Sequence, residues 1–84
     1  MSNSPINFDL DIVILERPSN VQVIGLTHTH LFASLDEAER FVLTDALAAE
    51  QADAGGRCWF ATHDQPADLW EHEFAPELLE ELGK

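Results

Sequence analysis

Carboxylates are the one residue type present beyond what an ordinary small fold needs. Sixteen Asp and Glu stand against four Lys and Arg in 84 residues, a formal net charge of −12. Seven of the acids (Asp64, Asp68, Glu71, Glu73, Glu77, Glu80 and Glu81) fall in one stretch with no Lys or Arg among them. Two more, Asp9 and Asp11, are two apart on a segment that alternates like a strand. Residues two apart on a strand are spaced about 6.6–6.8 Å. That is similar to the step between successive phosphates of a nucleic-acid strand, whose rise is about 3.4 Å but whose path winds. Paired strands carrying such rows would present a fixed negative array to a protein built to receive phosphates. Nucleic acid itself and anionic lipid would be repelled. The competing reading is a solvated or salt-adapted surface. So many unbalanced charges repel one another and weaken a small fold unless salt screens them or a cationic partner is bound.

Other chemistry-bearing residues carry less. His28 and His30, one residue apart, would point the same way on a strand and could hold a metal with His63 or His72 as a third ligand. No Cys-x-x-Cys or His-Glu-x-x-His spacing supports that, and neither a metal nor a cofactor is expected. Cys58 lies in the apolar run Cys58-Trp59-Phe60 and reads as a small buried hydrophobe, since a strongly negative surrounding field disfavours a thiolate. As the only cysteine it excludes an intramolecular disulfide and an iron–sulfur cage. Paired carboxylates serve glycoside hydrolysis, but a chain this short leaves little wall for a sugar cleft. Asp9-x-Asp11 lacks the later ligands and glycine of a calcium loop. Ser34 precedes a helix but lacks the preceding Asp of a carrier-protein attachment serine. The expectation is a protein without catalytic activity. Trp70, set among acids, suits stacking on an arginine guanidinium, while at least one of the two tryptophans is expected in the core.

The elements that must position these residues are readable from periodicity. Ile6, Phe8, Leu10, Ile12 and Ile14 alternate with Asn7, Asp9, Asp11, Val13 and Leu15, the pattern of a half-buried strand with both aspartates facing away from the core. Arg17-Pro18-Ser19-Asn20 is a turn leading into a second, β-branched strand from Val21 towards His30, with Gly25 marking a bulge. Ser34-Leu35-Asp36-Glu37 is a capping box that opens a helix. Leu35, Ala38, Val42, Ala46 and Ala49 form its apolar stripe, Phe41 lies at the edge, Asp36 pairs with Arg40, and Gly55-Gly56 stops it. Arg57 to His63 is a third strand, and residues 64–68 are a loop. Leu69 to Phe74 fits either a strand or a helix started by Asp64 and Pro66. The strand is favoured, because Trp70, His72 and Phe74 then share an inward face. Pro76 opens a short helix with Leu78, Leu79 and Leu82 on its apolar side.

The fold expected is α+β in the order ββαββα: a four-stranded, mostly antiparallel sheet with helices on one face, residues 1–84 forming a single domain. A domain of this size buries only about 60% of its unfolded surface, so modest stability is expected. No uninterrupted apolar run exceeds four residues, and the N-terminal segment lacks the character of a signal peptide, so a cytoplasmic protein is expected.

In size, acidity and strand–strand–helix order the chain resembles the small phage-encoded anti-CRISPR proteins, several of which look like nucleic acid to their targets. The resemblance implies a bacterial host cell and, as partner, the DNA-binding subunit of a CRISPR surveillance complex. Inhibitors of restriction or repair enzymes that mimic DNA share the same features. The expected function is a non-catalytic inhibitor that occupies a basic, DNA-binding surface with Asp9, Asp11, Asp64, Asp68, Glu71, Glu73, Glu77, Glu80 and Glu81. The alternative is a small acidic structural or regulatory domain, monomeric or paired as a homodimer through its sheet.

Overall fold

β-Branched and aliphatic residues alternate through the first hairpin, and in the computed structural model, which describes residues 9–83, they build the centre of the sheet. Strand β1 (Ile12–Glu16) pairs antiparallel with β2 (Val21–Ile24), Ile14 facing Val23. The turn between them closes with the Arg17 N–H donating to the Asn20 carbonyl at 2.9 Å. The expected strand before Ile12 is not formed where it is described, since Asp9 and Leu10 lie in a turn; Ile6, Asn7 and Phe8 lie outside the described residues.

The second strand does not run on to His30. Gly25 adopts φ +112°, and a Cβ there would lie 2.4 Å from the Asp11 carbonyl oxygen, so only glycine lets the chain pass so close to β1 and turn. The chain then returns as β3 (His30–Phe32), antiparallel to β2. What reads as one long strand is two short ones.

The helical segment also divides. Ser34 caps α1 (Leu35–Thr44), its Oγ accepting from the Glu37 N–H at 3.3 Å, while Glu37 Oε1 accepts from the N–H of Ala33 rather than that of Ser34. Asp45 ends α1 in an extended conformation and starts α2 (Ala46–Asp53), its carboxylate accepting from the Ala48 N–H at 3.1 Å. That break resets the helical phase. Ala38, Val42 and Ala48 are buried, whereas Ala46 and Ala49, expected on the same stripe, face solvent.

The two-helix crossover delivers β4 (Cys58–Thr62) beside β1 in the same direction, Ile14 against Phe60. A parallel pair needs a long crossover of this kind. β5 (Gln65–Glu71) then pairs antiparallel with β4 through a bulge between Phe60 and Thr62. Leu69, Trp70 and Glu71 are therefore strand, as are the positions expected as loop from Gln65. Pro66 is tolerated because β5 is an edge. Pro76 opens α3 (Pro76–Glu81) as expected, with Leu78 buried.

Among the described residues the result is an α+β fold with a mixed five-stranded sheet, order β3-β2-β1-β4-β5, and three helices. It has one strand more than expected and a parallel pair at its centre. Ile12, Ile14, Val21 and Val23 pack under Ala38, Val42 and Ala48 on the helix-covered face, with Phe32, Phe41, Phe60 and Phe74 around them. By register Trp59 and Ala61 stand beside Val13 and Leu15, which places them on the opposite face, and both are buried. No helix among the described residues is long and apolar enough to cross a membrane.

Candidate functional site

The nine acids expected on one surface divide into four groups. Asp11 is buried, its Oδ1 accepting from the Arg57 backbone N–H and its Oδ2 from the Trp59 indole N–H, each at 2.8 Å. The expected exposure fails because Trp59 lies against the same side of the sheet and needs an acceptor for its indole N–H when buried. Glu81 is exposed but bound to Arg40, which also donates from Nε to Asp36 at 2.8 Å. The Arg40 guanidinium, by hydrogen bonding first and charge second, holds the Glu81 carboxyl below the usual carboxylate range.

Asp64, Asp68, Glu71, Glu73, Glu77 and Glu80 form the third group. All are exposed, and all lie on or beside the edge strand β5 and helix α3. Asp64 has a neighbour in His63, 3.8 Å away. Asp9 is exposed in the turn before β1. It is not paired with the Glu71 row, because β4 runs between β1 and β5. Glu73 lies beyond the end of β5. The charged surface is thus one sheet edge and the short helix that follows it, rather than two paired rows.

The histidines are dispersed. His28 lies in the turn after Gly25, His30 packs its ring on Phe41 at 4.5 Å, and His63 is exposed. Among the described residues no three His, Cys, Asp or Glu side chains form a metal-holding group.

One buried polar pair was not expected. His72 Nε2 lies 2.7 Å from Glu39 Oε2, with both side chains about nine-tenths buried. Glu39 sits between Ala38 and Val42, on the buried side of α1. An acid among the core residues of a helix, facing an inward histidine of an alternating strand, was the available signal. Cys58 and His72 line a cavity of about 450 Å³ with Val42, Ala48, Ala52 and Phe74. Burial, reinforced by the Glu39 charge, pushes the Cys58 thiol up to about 12. The thiol therefore stays protonated at neutral pH, the opposite of what a nucleophile needs.

No protein-family model, curated protein or solved structure matches the chain.

Proposed function

We propose that the chain is a non-catalytic binding protein that occupies the basic, nucleic-acid-binding surface of a partner with its acidic edge. The observation that carries this reading is the placement of Asp64, Asp68, Glu71, Glu73, Glu77 and Glu80, exposed on consecutive elements with no Lys or Arg between residues 64 and 81. A single-sign surface steers a cationic partner into contact quickly and with strong salt dependence. Asp9, in the turn before β1, does not belong to it, and Asp11 and Glu81 are committed to internal partners. The resemblance to anti-CRISPR proteins supplies one such partner, the DNA-binding subunit of a surveillance complex in a bacterial host.

Reversal of Glu77 and Glu80 to Lys tests the edge. Partner binding is expected to be lost while the melting temperature holds; undiminished binding by that variant overturns the proposal. A second reading draws on the exposed acids elsewhere, Glu16, Glu37, Glu50 and Asp53, which lie on other elements. An acidic surface spread this way belongs to a salt-adapted domain. It predicts a melting temperature that climbs steeply with salt and no basic partner.

A further inference from the structure

We propose that the recess beside Trp70 is a binding site for an arginine side chain of a protein partner; this rests on the reading of the acidic edge as the partner-binding surface. Trp70 faces Phe60 across the β4–β5 pair, and because β5 is the edge of the sheet its side chain remains 47% exposed. The indole is held from within: Phe60 lies 5.4 Å from it, centroid to centroid, and itself stacks on His72 at 5.7 Å. His72 is fixed in turn by Glu39 and by the edge-on ring of Phe74 at 4.8 Å. The aromatic wall is therefore anchored to α1 and the core rather than left to swing in solvent. Beside it opens a recess of about 490 Å³, lined by Leu35, Phe60, Trp70, Glu71, His72 and Glu73.

Glu71 pairs with Trp59, so its side chain belongs to the opposite face of the sheet. An aromatic wall, an aliphatic side chain and the acid Glu73 are the surroundings that suit a planar, delocalised cation. A guanidinium is attracted to the indole face and at the same time offers a fork of N–H donors to carboxylates. It is also more weakly hydrated than an ammonium, so placing it against Leu35 and Phe60 costs less than placing lysine there. No Lys or Arg of the described residues lines the recess, leaving Glu73 to an incoming cation. A phosphate would meet Glu73 and be repelled.

The test is a titration of the isotope-labelled full chain with N-acetyl-arginine amide, followed through the Trp70 indole N–H signal, with N-acetyl-lysine amide at equal ionic strength as comparison. Arginine is expected to shift Trp70 with saturation, and lysine is expected to shift it less. Trp70→Ala, read through neighbouring backbone signals, is expected to weaken arginine binding about 2- to 5-fold, the factor of an exposed cation–π contact. Glu73→Gln, at an exposed position, tests the carboxylate without touching the aromatic wall and is also expected to weaken binding. Equal response to lysine and arginine, or unchanged affinity in both variants, overturns the site. If arginine binds but the Glu77 and Glu80 reversals leave partner binding intact, the edge reading fails and the recess stands. If the reversals abolish partner binding but arginine produces no shift, the recess fails and the edge stands.

Discussion

Asp11 satisfies two N–H donors with one buried carboxylate, and this makes it a structural residue in a protein whose other acids mostly face water. Removing it strands the Trp59 indole N–H and the Arg57 backbone N–H together. Asp11→Ala is expected to cost about 2–4 kcal/mol, from two lost hydrogen bonds to a charged group. Urea denaturation measures it, and a loss below about 0.5 kcal/mol, within the ordinary range for surface substitutions, would contradict the assignment. Cys58 gives a pH signature. Its thiol is pushed from 9.0 to about 12 by burial first and the Glu39 charge second. Below pH 9 the thiol is protonated in both states and its contribution is fully present. As pH rises from 9 towards 12 the unfolded chain loses the proton first, so stability falls through that window. The chain has no Tyr, and Lys84 is its only Lys, so few other side chains titrate there. Cys58→Ala is expected to flatten the alkaline limb of the stability curve; an unchanged limb would contradict the assignment.

Elements whose signals are local were legible in the sequence, and those decided by distant contacts were not. The first hairpin, the Ser34 cap, the stop at Gly55-Gly56 and the Pro76 helix all depend on a few neighbouring residues. The turn at Gly25 depends on the backbone of Asp11, fourteen positions earlier in the chain, which no local pattern discloses. The break at Asp45 had a readable sign, an N-cap residue inside an apolar stripe, but the stripe continues in sequence as though the helix did not stop. The parallel pairing of β1 with β4 follows only once two helices are known to cross over between them. Gly25→Ala therefore meets both a positive φ and a backbone atom at 2.4 Å, whereas Gly55, at φ +102°, has open space around it. Thermal unfolding is expected to show a loss of about 3 kcal/mol for Gly25→Ala and about 1 kcal/mol for Gly55→Ala. Equal losses would contradict the close approach. For the acidic site, six of nine expected residues reach the same edge region, because β5 and α3 are consecutive and both peripheral. Asp11 was misjudged because strand alternation reports the face a residue takes, not what lies over that face.

At the scale of the whole molecule, charge and architecture divide the work. The helix-covered face and the β1–β4 centre hold the apolar core, while the β5–α3 side concentrates exposed carboxylates. Arg40 is engaged by Asp36 and by Glu81 at the end of α3, so it neutralises that one acid of the edge and leaves the other six. The most direct measurement is retention of host proteins by the tagged full chain, eluted with duplex DNA and compared with a Glu71→Lys, Glu77→Lys, Glu80→Lys variant of unchanged melting temperature. The predicted result is a nucleic-acid-binding protein held by the parent chain, released by duplex DNA and absent from the variant. Equal retention by the variant, or bound proteins that duplex DNA does not displace, would contradict the account.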